Sequence, residues 1–248
     1  MKKSLILTKY HIASLWNWRG VYLGRIVEPL AYFVFLVVGI SGMLDSAQSR
    51  NYLSYAFTGI VCLLTFRAFG YATSDISNDR KWGVYAIFMM QGGKVWGYLV
   101  SIIAVASLVF LVQFAAVALA YLGLSVASGS GVDGAALVAG LLIAFLVVWG
   151  WVGLGAAVGA LVNSYEARDM LSTFTTLPVV LSAPLFYELS SAPTYLQVIA
   201  RCNPLTYHVQ WMRAPVAADF VYALLWVGTT TALARYALSR ADRLSSER

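Results

Sequence analysis

From Val95 to Tyr121 the chain runs without a single Asp, Glu, Lys or Arg, and apolar residues do not alternate with polar ones. About 20 such residues, coiled as a helix, cross a hydrocarbon core of ~30 Å. Membrane-spanning strands would instead show alternating segments of roughly ten residues. Other stretches repeat the pattern. Of the 248 residues, 60% are hydrophobic and 11% charged, whereas a soluble domain carries roughly 25% charged residues. The expected fold class is an all-α integral membrane protein.

Six spans are expected within a single transmembrane domain, 1–248. The first runs from Ile26 to Leu44, opening on Glu28-Pro29 with the proline in a first turn, where its missing N–H costs nothing. A polar link, Asp45 to Asn51, leads to the second, Tyr52 to Ala72. Thr73 to Lys94 is too polar for lipid and reads as a separate connecting segment. The third span is Val95 to Tyr121. A Gly/Ser link, Ser125 to Gly134, precedes the fourth, Ala135 to Val162. The fifth is Met170 to Phe186 and the sixth Phe220 to Leu238, with a charged tail from Ser239 to Arg248. Ser4 to Trp18, inside a cytoplasmic stretch 1–25, reads as an uncleaved helix on the membrane surface with Trp16 and Trp18 at headgroup depth. Five of the six prolines lie beyond residue 177, so the half-polar segment 188–219 should form short helices dipping into the outer face. Broken backbone at that depth survives only against protein or a water-filled cavity.

The positive residues set the orientation. Lys2, Lys3, Lys9, Arg19, Arg25, Arg80, Lys81, Lys94, Arg168, Arg235, Arg240, Arg243 and Arg248 fall on one side of the six-span arrangement; Arg50, Arg201 and Arg213 fall on the other. The rich side is cytoplasmic, which places both termini inside. The net charge of +6 follows from these flanks. With no basic tract interleaved with aromatics, nucleic acid is not an expected partner.

No catalytic set appears. His11 and His208 fall on opposite sides, and Cys62 and Cys202 have neither metal-ligand nor disulfide spacing. Gly92-Gly93-Lys94 looks like the end of a phosphate loop, but Phe88 replaces its first glycine and Val95 its Ser or Thr. A Schiff-base lysine is missing from the later spans, since no lysine follows Lys94. Gly155 and Gly159 form a G-x-x-x-G pattern that lets helices approach closely, inside the subunit or between copies. Arg67 lies within the second span. It either snorkels to the inner headgroups, meets an anionic substrate headgroup, or pairs with Asp75 or Glu28.

Glu28-Pro29-Leu30, Arg80-Lys81-Trp82, Leu177-Pro178, Pro184-Leu185-Phe186, the stretch Pro193 to Ile199, Asn203-Pro204-Leu205-Thr206-Tyr207 and Arg213 follow one another in an order and spacing that resembles the permease subunits of type-2 ABC exporters. That family includes nodulation-factor, drug and polysaccharide or teichoic-acid export permeases, and the resemblance covers most of the chain. Tyr187-Glu188 departs from it, where many members carry a glycine-containing stretch. The resemblance implies that residues 73–94 form a coupling helix in a groove of a separate ABC ATPase, with Asp79, Arg80, Lys81, Trp82 and Tyr85 at the contact. The surface helix would pack beside that ATPase. Pro193, Asn203, Pro204 and Tyr207 would belong to external re-entrant helices, and two permease copies, identical or paralogous, would line a path between spans one, two and five that includes Glu28 and Arg67. ATP and Mg would bind the ATPase, leaving this chain without cofactor or catalysis of its own. Membrane lipid is the remaining partner and the cytoplasmic membrane the expected location. Trp82 and Tyr85, three positions apart, should share one face of a short helix. A non-transporting assembly or binding protein, or an intramembrane transferase, remains the alternative on residues alone.

Overall fold

The computed structural model describes residues 2–129, 132, 134–162 and 164–245. Among them there is no strand. Ser130, Gly131 and Asp133 of the expected Gly/Ser link, and the last three residues of the tail, lie outside the described residues.

The N-terminal helix α1 (Lys2–Asn17) lies against the third long helix, and Trp18 separates it from α2 (Arg19–Ala31). A π-helical turn, Tyr32–Val37, and α3 (Val38–Ser41) continue α2 as one rod. Next come α4 (Ser46–Lys81), the short α5 (Val84–Met90), α6 (Val95–Ala127) and α7 (Gly134–Leu161). Beyond α8 (Tyr165–Ser182) and a single 3-10 turn, Leu189–Ser191, stand two short helices, α9 (Thr194–Cys202) and α10 (Pro204–Arg213). The chain closes on α11 (Ala217–Ser245).

Five helices among the described residues are long and apolar enough to cross a membrane: Arg19–Ser41, Asn51–Lys81, Val95–Ala127, Leu137–Leu161 and Ala217–Arg240. Several expected boundaries move. The first rod begins at Arg19, so Pro29 sits inside α2 rather than in a first turn. The link before α4 shrinks because that helix already starts at Ser46, and α4 runs on through Thr73, Asp75 and Asp79 to Lys81. The polar stretch 73–94 is therefore not one segment: its first part is the inner end of α4. Where the fifth span was expected, α8 has 18 residues, carries Glu166, Arg168 and Asp169 near its start, and stops at Ser182. It stops because Ala183 precedes Pro184, and a residue before proline is driven to extended backbone; its ψ is 141°. Asn203 before Pro204 (ψ 118°) breaks α9 from α10 in the same way.

The core is built around α7, which packs along α4 on one side and α11 on the other. Its glycines make this contact possible. A β-carbon on Gly159 would stand 2.7 Å from the Thr73 carbonyl oxygen, and one on Gly155 would strike the Phe69 carbonyl. The G-x-x-x-G pattern thus serves packing within the subunit. Thr73 Oγ donates to the Gly155 carbonyl at 3.2 Å across the same seam. Phe66 stacks edge-on to Trp151 with ring centres 4.9 Å apart, and Phe57 lies flat on Tyr121 at 4.3 Å.

Candidate functional site

Arg67 forms a two-pronged ion pair with Glu28: Nη1 donates to Oε2 at 2.6 Å, and Nη2 to Oε1. The snorkelling expectation rested on a span ending at Ala72. Because α4 continues, about 21 Å of helix rise separates Arg67 from Lys81, and the guanidinium is held sideways by the first rod instead. The Arg67 side chain is 16% exposed and that of Glu28 51%. The pair therefore sits at the molecular surface near the middle of both rods. Beside it, Ala31, Tyr32, Phe35 and Leu36 line an apolar recess together with Glu28.

The inner end of α4 concentrates polar side chains. Tyr98 of α6 donates to Asp79 Oδ2 at 2.8 Å, and both residues are buried. His11 of α1 brings Nε2 within 3.3 Å of the same oxygen, though not in line for a hydrogen bond. Burial, which disfavours the imidazolium, pushes His11 down to about 4, so it is neutral at pH 7. Arg80 donates to the carbonyls of Ala160 and Gly159, closing the C-terminal end of α7. Lys81 rests over the Tyr165 ring at 3.5 Å, and Arg168 pairs with Asp169 at 2.8 Å. A cavity of about 540 Å³ opens here between α1, α2, α4, α6 and α8, with Asp75, Asp79, Arg25 and Trp18 on its walls.

Trp82 and Tyr85 do not share a face. The helix ends at Trp82, Gly83 takes a left-handed turn at φ 77°, and α5 restarts at Val84. That turn leaves Trp82 57% exposed and Tyr85 3% exposed, the latter packed edge-on to Tyr98 at 4.8 Å. The exposed large apolar residues on α5 are Ile87 and Met90, three apart on one face. Their spacing was readable in the sequence; the Gly83 turn that turns them outward together with Trp82 was not.

At the opposite end, Asn203 accepts from the Leu205 N–H at 3.0 Å and so caps α10, while its amide donates to the Val179 carbonyl at 2.7 Å and Ser182 Oγ at 2.9 Å. Pro204 occupies the first turn of α10, and Pro193 precedes α9 in extended backbone. Tyr207 is exposed and donates to the Arg201 carbonyl at 2.8 Å. Arg213 was noted in the sequence as an outer-side cation and as part of a pattern. It donates to the carbonyls of Pro184 and Leu185 at 2.9 Å each and to that of Tyr55 at 3.3 Å, with its guanidinium 3.4 Å from the Tyr55 ring centre. It thereby bolts α10 to α4 and to the break after α8.

No curated protein matches the chain. Residues 3–216 match the family described as ABC-2 type transporter. A match over that extent, carried by an all-helical multi-pass chain, shows that it belongs to the ABC-2 type transporter family of ABC-transporter membrane components.

Proposed function

We propose that this chain is the permease subunit of an ATP-driven exporter that moves a lipid-linked glycan, a lipid or an amphipathic compound out of the cytoplasm or the inner leaflet. The Glu28–Arg67 pair carries this reading. A charge facing acyl chains at mid-membrane costs about 3 kcal/mol on insertion scales, so a half-exposed glutamate there fits a polar path better than a lipid-facing surface. The guanidinium suits an anionic headgroup, which it can grip with two parallel hydrogen bonds once Glu28 yields. In this reading α8 is the fifth of six spans, both termini are cytoplasmic, and α9 and α10 form a re-entrant cap on the outer side. A second copy or a paralogue closes the path against α2 and α8. The separate ATPase, holding ATP and Mg, docks at the inner end on Trp82, Ile87 and Met90. Asp79, Arg80 and Lys81 act there by holding the end of α4 in place rather than by touching the partner, and Tyr85 by packing beneath α5.

Two measurements test this. In proteoliposomes holding the assembled complex, Arg67→Ala should stop ATP-dependent movement of a fluorescent anionic phospholipid while the ATPase still copurifies, and Arg67→Lys should partly restore it. Wild-type movement by Arg67→Ala would refute the path. Changing Trp82, Ile87 and Met90 together to Ala should release the ATPase, since interface anchors of this kind cost ~2 kcal/mol or more each when truncated. Tyr85→Ala should instead lower the melting temperature. Retention of the ATPase by the triple variant would move the docking site elsewhere.

A further inference from the structure

Pro29 has no N–H, so the carbonyl four residues earlier, that of Arg25, lacks the donor it would have within a regular helix. A side chain from another helix supplies one. Gln113 Nε2 of α6 donates to the Arg25 carbonyl at 2.9 Å. Gln113 is 1% exposed, in a helix otherwise made for an apolar environment. A buried amide in such surroundings is costly unless it is hydrogen-bonded. Its presence there and the gap that proline leaves in α2 account for each other.

Glu28 stands between that gap and a second irregularity. The Tyr32 N–H is shared between the carbonyls of Glu28 and Pro29, and the rod then widens into the π turn Tyr32–Val37. Prolines and π turns are where helices bend. The backbone carrying Glu28 therefore gets less support from its own helix than a regular one would give, and the bond from Gln113 ties it to α6 just before Glu28.

We propose that Gln113 is a positioning residue that sets Glu28 opposite Arg67 by replacing, from α6, the backbone hydrogen bond that Pro29 removes. Its importance for export rests on the reading of the Glu28–Arg67 pair as part of the path; its effect on geometry does not. A consequence follows that a general packing role would not share. Pro29→Ala restores the N–H that satisfies Arg25, so Gln113 becomes dispensable in that background.

The test reads position without substrate. Cys202 is exposed and is removed as Cys202→Ser, while Cys62 is buried. In that background the Glu28→Cys/Arg67→Cys protein is treated in nanodiscs with a short bismaleimide. Adding Gln113→Leu should lower the cross-linking yield roughly fivefold, the shift expected for one hydrogen bond. Adding Pro29→Ala as well should bring the yield back to within about twofold, as coupled neighbours do and independent sites do not. A wild-type yield with Gln113→Leu, or a loss that Pro29→Ala leaves in place, overturns the proposal. If the Gln113→Leu protein fails to insert, recovery of insertion and cross-linking by Pro29→Ala supports it, and failure of both variants overturns it. Movement of the fluorescent anionic phospholipid is followed in parallel, in Arg67→Ala and in Gln113→Leu with Glu28 and Arg67 intact. Normal movement in Arg67→Ala beside the expected cross-linking pattern would remove the path and leave the positioning role standing.

Discussion

Helices α7 and α8 follow each other in the chain and meet the rest of the molecule in opposite ways. α7 is fitted between α4 and α11, and its glycines let the backbones of its neighbours come into direct contact. α8 touches α4 and α9 only lightly, and leaves Met170, Phe174, Leu177 and Leu181 exposed. In lipid there is little hydrophobic drive between helices, so association depends on close packing and on polar contacts. By that standard α7 is held by the chain itself, whereas α8 presents a face that the chain does not cover.

The largest effect should come from spoiling the fit of α7. Gly159→Leu places a side chain where the Thr73 backbone stands. Overpacking of this kind costs about 1–3 kcal/mol even where side chains can give way, and backbone gives way less. The variant should insert poorly and melt well below wild type in detergent. A melting temperature within a few degrees of wild type would show that α4 and α7 are not locked together as the contact implies.

A smaller and different effect is expected on α8. Phe174→Ala with Leu181→Ala trims an exposed face while keeping it apolar for lipid, so the fold of one chain should survive with only a small loss of stability. If a second copy covers that face, cross-linking between copies should fall severalfold. An unchanged pairing of copies would place their contact on another surface and erase the contrast with α7.

Part of this contrast was legible in the sequence. The glycines at 155 and 159 announced a close approach, and Pro193 and Pro204 announced the short helices α9 and α10, because both signals act locally; Pro184 was read through, since the fifth span was expected to run to Phe186. The course of α4 beyond Ala72 was not legible. Asp79 looked too polar to be buried, and it is buried only because Tyr98 donates to it from another helix. Pro29 misled for the same reason: what tolerates it inside α2 is Gln113, 84 positions later. The separation of Trp82 from Tyr85 depends on one left-handed glycine, Gly83, whose conformation a residue count does not reveal. Of the candidate path, Arg67 was visible as a charge inside a span; its choice of Glu28 over Asp75 required the rods to be placed side by side.

The helix α1 offers a finer probe, because a few side chains hold it rather than a dovetailed backbone. Lys3 donates to the Gln91 carbonyl beside α5, and His11 faces Asp79. His11 is neutral when α1 is docked, since burial has moved it from 6.5 to about 4. An undocked α1 exposes His11 and restores its ordinary value. The docked form therefore has its full stability above pH 6.5, loses it as the pH falls towards 4, and loses no more below that. Each unit is worth about 1.4 kcal/mol at most. Once the intrinsic slowing of amide exchange with falling pH is divided out, the protection of α1 in nanodiscs should thus drop severalfold between pH 7.5 and 5, while that of α7 stays level. His11→Phe should flatten the response of α1. The same acid response in His11→Phe as in wild type would mean that α1 is held by something other than this contact, and that it belongs with α7 rather than with α8.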